Sequence, residues 1–372
     1  MRPTYLEVNL SRLKQNLENI RSRVAPAKVM AVLKANAYGH GVDGVGPFIA
    51  PFCDYIGVAL VEEGIHLREL GIDKPILVMG ATLPGQVPLF VRHNLTLAAS
   101  SIELLDAAEA AAQEGQGGLK VHLKIDTGME RTGVHEYEAL PFIEKSLSCS
   151  HIEVEGIFTH FANSESQDPT HARLQLERFQ EVLSIYEKLK APCPPIRHAA
   201  NSGAVLNLPE SWLDMVRPGV MFYGVYPQRG IEHTVEVKPA LTWRSQVAFS
   251  KITQSGRPVS YGSLWQSDHP VRVVTVPCGY ADGYFRCMTN QAQVIVNGHK
   301  YPQVGRICMD QFMVDLEEDE AQTGDEIILL GEAASGERIT VEDLADWTGT
   351  NEYEVMTNIS ARVPREFRVF VE

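Results

Sequence analysis

A lysine stands directly after a short apolar stretch, where its amine could form a covalent bond with a carbonyl compound. Residues 29–33 are apolar, Lys34 follows them, and a loop of small residues with glycines comes next. A buried strand that ends in one charged group is costly unless the charge is used, and reaction with a carbonyl is the commonest use of such a lysine. The ordinary alternative is a strand-end lysine that reaches solvent, and Lys34 alone does not decide between the two.

Further reactive side chains lie in or after several of the predicted strands. They are Tyr38, Lys124, Arg131, His160, Asn201, Ser202 and Arg217. Each has an ordinary alternative, because the histidine could be a hydrogen-bonded core residue, the arginine could pair with a surface carboxylate, and the Asn-Ser pair could cap a helix. Finding all of them at strand ends, which share one rim in a barrel, favours an active site.

The pattern of predicted elements supplies such a rim. Short runs rich in β-branched residues alternate with helical patterns such as 101–114 and 168–190. The eight predicted strands are 28–34, 55–60, 75–79, 95–98, 119–125, 154–159, 196–199 and 214–216. The chain is therefore predicted to be an α/β protein that begins with a (β/α)8 TIM-type barrel. A doubly wound sheet is the alternative, although no G-x-G-x-x-G motif follows the first strand.

The second part of the chain has a different character. Its predicted strands are separated by Gly, Pro, Asn and Asp residues, and one helical pattern covers 341–348. These strands are 241–250, 271–276, 292–296, 312–314 and 326–330. We therefore predict a barrel over residues 1–232 and a mostly β domain over residues 233–372.

Small residues follow the seventh and eighth predicted strands, where barrel enzymes frequently bind phosphate. Ser202 and Gly203 follow the seventh strand, and Gly219 and Val220 follow the eighth. Their backbone N–H groups and the start of a helix suit a phosphate group. A phosphate site, a strand-end lysine and the lack of a metal motif together point to pyridoxal 5′-phosphate. That cofactor forms a Schiff base with lysine and stabilises a carbanion at the α-carbon of an amino acid.

Composition and charge argue against several classes of protein. The 372 residues are 44% hydrophobic and 22% charged, which is typical of a globular chain, and their net charge is −14. This charge disfavours nucleic acid or an anionic membrane as a partner. No segment approaches the roughly 20 apolar residues of a membrane span, and residues 1–10 lack a signal-peptide core, so we expect a cytoplasmic protein. The six cysteines show no zinc spacing, so we expect free thiols and no metal.

Nine motifs, in order along almost the whole chain, resemble those of the bacterial alanine racemases. They are 32–41 (VLKANAYGHG), 124–131 (KIDTGMER), 159–162 (THFA), 200–202 (ANS), 216–219 (VRPG), 260–262 (SYG), 278–283 (CGYADG), 304–310 (VGRICMD) and 351–354 (NEYE). The first motif is highly specific, whereas the others are weak alone. The family fold is a barrel followed by a β domain, in agreement with the fold predicted from the residues.

The resemblance implies a role for each matched residue around the cofactor. Lys34 carries pyridoxal phosphate covalently, Arg217 hydrogen-bonds its pyridine nitrogen, and His160 lies beside the ring and contacts Arg217. The phosphate is held by Tyr38, Ser202, Gly219, Val220 and Tyr353, with Asn201 close by. Arg131 lies near the phenolic oxygen of the cofactor and the carboxylate of the substrate. Lys124 matches a position that is carbamylated in many family members.

Racemisation removes a proton from one face of the α-carbon and returns one to the other, so it needs two opposed acid–base groups. Lys34 can serve one face, and the resemblance supplies Tyr261, from the second subunit of a homodimer, for the other. Because the ordinary pKa of tyrosine is about 10, we expect the positive charge of His160 and Arg217 near it. The β domain is also expected to bring the substrate-side residues Tyr280, Cys308, Met309 and Asp310.

The predicted activity is therefore the pyridoxal phosphate-dependent interconversion of L-alanine and D-alanine, an isomerase reaction that supplies D-alanine for peptidoglycan. A racemase of broader specificity, acting on serine or basic amino acids, is the main alternative. A decarboxylase of the same fold type is less favoured, because such enzymes use a glycine triplet and a Glu-Pro-Gly-Arg segment that this sequence lacks. Non-catalytic carriers of the cofactor are barrels without the second domain.

Overall fold

The computed structural model describes residues 2–115 and 117–370. These residues divide into two compact units. The first comprises residues 12–37 and 42–238, and the second comprises residues 2–11, 38–41 and 239–370.

The strands of the described residues are numbered in chain order, and the helices are named by their residue ranges. The strands are β1 (Tyr5–Asn9), β2 (Lys28–Val32), β3 (Tyr55–Val58), β4 (Ile76–Val78), β5 (Thr96–Ala99), β6 (Leu119–Asp126), β7 (Val134–His135), β8 (Ile152–Phe158), β9 (Ile196–His198), β10 (Met215–Val216), β11 (Leu241–Gln246), β12 (Phe249–Thr253), β13 (Val271–Val276), β14 (Gln293–Val296), β15 (His299–Val304), β16 (Phe312–Asp315), β17 (Glu326–Glu332), β18 (Arg338–Ile339) and β19 (Arg365–Arg368). The α-helices are Leu10–Val24, Val42–Ile49, Val61–Glu69, Val87–Arg92, Ile102–Glu114, Ala139–Ser148, Thr170–Lys188, Ser202–Asn207, Val341–Thr348 and Glu352–Thr357. Single 3₁₀ turns lie at Ala50–Phe52, Pro84–Gln86, Glu136–Glu138, Pro209–Ser211, Val220–Tyr223, Tyr261–Ser263, Tyr280–Asp282 and Arg286–Met288.

The first unit is built on eight parallel strands that form a nearly closed barrel. Their order is β10, β2, β3, β4, β5, β6, β8 and β9, and the short β7 pairs with β6 outside that path. The two end strands are joined by backbone bonds from Asp214 N to Arg197 O at 3.0 Å and from Arg217 N to Ala200 O at 2.9 Å. Parallel strands are covered on both faces, which explains why β3 and β5 are buried along their whole length. All eight predicted barrel strands are present.

The second unit is a mostly antiparallel sheet to which the N-terminal segment contributes a strand. The strand order is β12, β13, β16, β15, β14, β17, β11, β1 and β19, with β18 paired to β17. β1 pairs antiparallel with β11 and parallel with β19. Its two buried residues, Leu6 and Val8, alternate with polar ones, a pattern too short to have predicted a strand.

One predicted strand of the second unit was wrong. Residues 241–250 form two strands, β11 and β12, because the chain turns at Val247 and Ala248. There the backbone N–H of Val247 donates to Asp325 O and that of Ala248 donates to Thr275 O, each at 2.9 Å. The other four predicted strands and the helix over 341–348 are present, whereas β15, β18 and β19 were not predicted.

No helix in the part of the chain that the structure describes combines the length and the apolar character needed to cross a bilayer.

Candidate active site

Lys34 opens a left-handed turn rather than ending a strand. β2 stops at Val32, two residues earlier than predicted, and residues 35–38 have φ angles of 52°, 55°, 53° and 50°. This conformation costs non-glycine residues roughly 1–2 kcal/mol each, and such strain is found where function requires it. Glu63 holds the turn, because its Oε1 accepts the N–H of Ala35 at 2.6 Å while its Oε2 accepts that of Ala59 at 2.8 Å.

The Lys34 amine lies in surroundings that favour its neutral form. The side chain is half-buried, and burial together with the positive charge of Arg131 lowers its pKa, while the Glu63 carboxylate opposes that shift. A lysine must be neutral to attack a carbonyl carbon, so these surroundings increase its nucleophilicity at neutral pH.

Lys124 is a second lysine with a lowered pKa, inside the barrel on β6. Burial, followed by the charges of Arg131 and Arg217, lowers its pKa to about 8. Its Nζ donates to Thr132 Oγ1 at 2.5 Å. A sizeable fraction of this amine is therefore neutral near physiological pH.

Arg131 stands at the end of a loop that is organised by the buried Asp126 carboxylate. Oδ1 of Asp126 accepts the N–H groups of Gly128 and Met129 at 2.9 Å and of Glu130 at 3.2 Å, and Oδ2 accepts that of Arg131 at 3.1 Å. Burial alone would raise the pKa of this carboxyl, but the four N–H groups outweigh burial and lower it. Asp126 thus fixes the backbone from which the Arg131 side chain extends.

Arg217 is buried and bonded only to acceptors. Its guanidinium donates to the carbonyl oxygens of Thr159 at 2.8 Å and Ala199 at 3.0 Å. It also reaches Nδ1 of His198 at 2.8 Å and Nδ1 of His160 at 3.2 Å. Burial lowers the pKa of Arg217 to about 9, so it remains charged at neutral pH.

His160 is neutral in this arrangement. Burial lowers its pKa well below the ordinary value, and the charges of Arg217 and Arg131 lower it further. The expectation that His160 contributes positive charge was therefore wrong, and in this pair the charge lies on Arg217 alone.

The ends of β9 and β10 present backbone amides around Ser202. Oδ1 of Asn201 accepts the N–H of Ala204 at 3.1 Å, so Asn201 does cap the helix Ser202–Asn207. Ser202 Oγ accepts the N–H of Gly219 at 2.9 Å, which joins the two strand ends. Among the described residues, no acceptor is bonded to the backbone N–H of Ser202, Gly203 or Val220. Unpaired amides at the start of a helix are suited to bind an anion.

Tyr38 and Tyr353, both predicted to hold the phosphate, lie beside each other in the second unit. Their ring centroids are 6.2 Å apart with the planes tilted by 48°. Tyr38 is buried, which raises the pKa of its hydroxyl and keeps it a neutral donor. Tyr353 stands in the helix Glu352–Thr357, which Asn351 caps.

The remaining predicted residues of the second unit share one open cavity of about 1170 Å³. The predicted residues in its wall are Tyr261, Tyr280, Cys308, Met309 and Asp310. Tyr280 N donates to Cys308 O at 3.0 Å, and a Cβ on Gly279 would lie 2.4 Å from the carbonyl oxygens of Cys308 and Met309. Only glycine allows this approach, which explains the Gly279-Tyr280 pair. Asp310 is bonded at 2.7 Å to Arg362.

Tyr261 is displayed on a strained turn at the edge of this cavity, with 71% of its surface exposed. Ser260 and Ser263, on either side, have φ angles of 66° and 51°. Ser260 Oγ donates to Arg306 O at 2.6 Å and so ties the turn to the neighbouring segment. The Arg306 guanidinium packs against Gly262, where a Cβ would lie 3.4 Å from it.

Sequence reasoning assigned no role to several residues that position this site. They are Glu63, Asp126, His198, Arg306 and Ser164, whose Oγ donates to Asn201 Oδ1 at 2.5 Å. Asp126 and Arg306 stand inside motifs already noted, so their charge beside a candidate residue was a usable signal. Glu63 and Ser164 carried none, because they act through contacts across loops.

The comparison with known proteins decides the family. Family models described as alanine racemase, N-terminal domain, and alanine racemase, C-terminal domain, match residues 8–227 and 240–367. The alanine racemase of Carboxydothermus hydrogenoformans is 44% identical over 368 residues, which are 98% of this chain and 99% of that protein. The chain belongs to the alanine racemase family. The resemblance recognised in the sequence is confirmed, and as a member of this family the chain is an isomerase.

Solved structures of similar proteins agree with the fold. The alanine racemase of Clostridium difficile 630 has a TM-score of 0.94 at 34% identity and covers 99% of this chain and 96% of its own. The histidine racemase of Leuconostoc mesenteroides has a TM-score of 0.90 at 28% identity and covers 99% of this chain and 98% of its own. The predicted barrel followed by a mostly β domain is therefore confirmed.

The role of Asp126 can be tested by amide hydrogen exchange. Asp126→Asn removes the charge that holds four N–H groups, at a cost of roughly 1.5–3 kcal/mol, so exchange of amides 128–131 should accelerate about 10- to 100-fold. Glu130→Gln, an exposed change in the same loop, is the control and should leave exchange unchanged. Equal exchange in Asp126→Asn and the unaltered protein would contradict this role.

Proposed function

We propose that this protein interconverts L-alanine and D-alanine with pyridoxal 5′-phosphate as cofactor. The observation that carries the proposal is the Lys34 amine, with its lowered pKa, in the same barrel unit as Arg131, Arg217 and the unpaired amides of Ser202 and Val220. When bound, the cofactor supplies an electron sink that stabilises negative charge at the α-carbon of an amino acid.

The residues present fit this cofactor. Lys34 would hold it covalently through Nζ, and the amides of Ser202, Gly203 and Val220 would receive its phosphate, with Asn201, Gly219, Tyr38 and Tyr353 completing the site. Arg217 would donate to the pyridine nitrogen, with His160 beside the ring. Because arginine keeps its proton at neutral pH, it leaves this nitrogen unprotonated, which weakens the electron sink and limits side reactions such as transamination.

The acid–base work falls on two residues on opposite faces of the substrate. Lys34 Nζ would take or return the α-proton on one face once the amine of the substrate has displaced it from the cofactor, and the Tyr261 hydroxyl of a second copy of the chain would do so on the other. Arg131 would bind the substrate carboxylate. Tyr261 must lose its proton to act as a base, and the charge of Arg217 would favour that loss.

A homodimer is proposed because the second unit carries exposed groups that make poor monomer surface. Tyr261, Met309 and Tyr280 are 71%, 52% and 40% exposed, and all three line the same open cavity. Large apolar side chains gathered in one exposed depression are typical of an interaction site. The Tyr261 side chain would then reach the barrel of the partner.

Alanine is proposed as the substrate because the relatives are named alanine racemases and because bulky side chains would stand where a larger substituent has to lie. Met309, Tyr280 and Tyr353 would limit the space around the substrate methyl group, while Cys308 and Asp310 would complete that wall. Excluding one extra group is worth only about 1–3 kcal/mol, so some turnover of serine is expected. The D-alanine formed would serve peptidoglycan synthesis in the cytoplasm.

Cofactor binding and activity can be tested together. The purified protein should be yellow, borohydride should fix the cofactor on the peptide that contains Lys34, and D-alanine should form from L-alanine. Lys34→Gln should abolish all three results, whereas Lys28→Gln, an exposed change on the strand that precedes Lys34, should preserve them. A colourless protein without activity after addition of cofactor would contradict the proposal.

Serine, arginine, lysine and histidine should be assayed in parallel, and faster turnover of any of these, or release of CO2, would contradict the assignment to alanine.

The two-base scheme predicts an asymmetric defect. Tyr261→Phe should slow exchange of the α-proton with solvent by about 10²- to 10⁴-fold for one alanine enantiomer and much less for the other, because the Lys34 face remains intact. Tyr301→Phe, a tyrosine of the same unit bonded to Asp319, is the control. Equal losses for both enantiomers would argue against two bases.

Mixing Lys34→Gln and Tyr261→Phe chains should restore part of the activity if sites are shared between subunits.

Lys124 is proposed to be carbamylated, so that it would orient Arg131. A neutral amine adds to CO2 and releases one proton, so modification should increase as the pH rises through about 8, the pKa of Lys124. With ¹³C-bicarbonate, a carbamate resonance should appear in the unaltered protein and be missing in Lys124→Gln. A carbamate signal of equal strength in both proteins would show that Lys124 is not the modified residue.

A further inference from the structure

A line of polar side chains leads from Arg217 through the barrel interior to a carboxylate. Arg217 reaches His198 Nδ1 at 2.8 Å, and His198 Nε2 lies 2.8 Å from His122 Nδ1. His122 Nε2 lies 3.5 Å from Glu155 Oε2, a charge contact that is longer than a normal hydrogen bond and does not meet hydrogen-bond geometry. Both histidines are fully buried.

The chemistry of arginine determines where the protons of this line must lie. A guanidinium can only donate, so His198 Nδ1 must accept and carry no proton. The His198 proton is therefore on Nε2 and is donated to Nδ1 of His122. His122 must in turn carry its proton on Nε2, which faces the Glu155 carboxylate. Every N–H in the line thus points from Arg217 towards Glu155.

The backbone is irregular at Glu155 and Gly156, and this irregularity lets the His122 ring and the Glu155 carboxylate approach each other. Val121 of β6 pairs with Val154 of β8, but His122 pairs with Gly156, so Glu155 is an extra residue that forms a bulge. Bulges redirect side chains and are uncommon between parallel strands. A Cβ on Gly156 would lie only 2.5 Å from Nδ1 of His122, so glycine makes room for the ring.

Glu155 is held as a carboxylate. Tyr55 OH donates to its Oε2 at 2.7 Å, and Lys120 Nζ donates to its Oε1 at 2.6 Å. Burial alone would raise the pKa of this carboxyl, but contacts with His122, Lys120 and Tyr55 outweigh burial and lower it to about 2. Burial lowers the pKa of both histidines, and the Arg217 charge lowers both further, while Glu155 opposes the shift at His122.

We propose that Glu155 is a positioning residue for Arg217: its carboxylate stabilises the proton positions of His122 and His198 that the guanidinium requires, so that His198 presents a bare nitrogen to Arg217. The bond to His198 then holds the Arg217 guanidinium in one orientation, in which its remaining N–H groups are directed to the reaction site. The functional part of this inference rests on the proposed role of Arg217 towards the cofactor, whereas the proton positions do not.

The proton positions can be tested without any assay of activity. Neutron diffraction from deuterium-exchanged crystals should show deuterium on Nε2 of both His122 and His198 and none on either Nδ1. Deuterium on Nδ1 of His198, or on both nitrogens of either ring, would overturn the proposal. This measurement uses the unaltered protein, so it does not depend on a variant that folds.

The role of the carboxylate can be tested with Glu155→Gln and, as control, Glu153→Gln, an exposed change on the same strand. In ¹⁵N-histidine spectra, Glu155→Gln should shift the His122 proton away from pure Nε2–H occupancy, and Glu153→Gln should not. If the proposed function holds, kcat for alanine should fall about tenfold in Glu155→Gln while KM changes little, as when the carboxylate behind an active-site histidine is removed elsewhere.

The two parts of the inference fail separately. Unchanged histidine resonances in a folded Glu155→Gln protein would overturn the role of Glu155 whatever the enzyme does. Altered resonances with an unchanged kcat would overturn its coupling to the reaction. Absence of racemase activity in the unaltered protein would overturn the proposed function instead, and the neutron map would still decide the proton positions.

Discussion

A guanidinium buried inside the barrel is the constraint on which much of the first unit depends. Arg217 is 3% exposed, and its bonds go to two carbonyl oxygens and two imidazole nitrogens. A buried donor without an acceptor costs about 1–3 kcal/mol, and more when charged, so each of these partners has to be an acceptor. This requirement explains why the Ala199 carbonyl after β9 faces the guanidinium, and why Nδ1 of His160 and Nδ1 of His198 carry no proton.

Positive charge is concentrated at the same end of the barrel and has a chemical consequence. Each of the cations Lys34, Lys124, Arg131 and Arg217 disfavours a further charge on its neighbours, and burial acts in the same direction. The arginines keep their protons because their intrinsic pKa is high, so the lysines lose theirs more easily. A site of this kind supplies neutral amines for covalent chemistry and fixed cations for anionic ligands at the same pH.

The sequence predicted the parts of this fold that depend on local pattern, and it failed where distant contacts decide. The eight barrel strands and the helix at 341–348 followed from residue periodicity. The left-handed turn after Leu33 did not, because Glu63, which accepts the N–H of Ala35, is distant in sequence, and no residue near Lys34 indicates that contact. The charge of His160 was misjudged for the same reason, since burial and Arg217 determine it.

Both residues proposed to move the α-proton stand on backbone that is locally unfavourable. Lys34 opens a run of left-handed residues held by Glu63, and Tyr261 lies between Ser260 and Ser263, whose positive φ angles are maintained by the bond from Ser260 to Arg306 O. Relaxation of either turn would move a reactive atom by more than proton transfer tolerates. The contacts that hold the turns therefore contribute to catalysis by keeping the reactive atoms in position, although none of them touches the reacting atoms. This explains why a motif of apparently unreactive residues surrounds each of the two side chains.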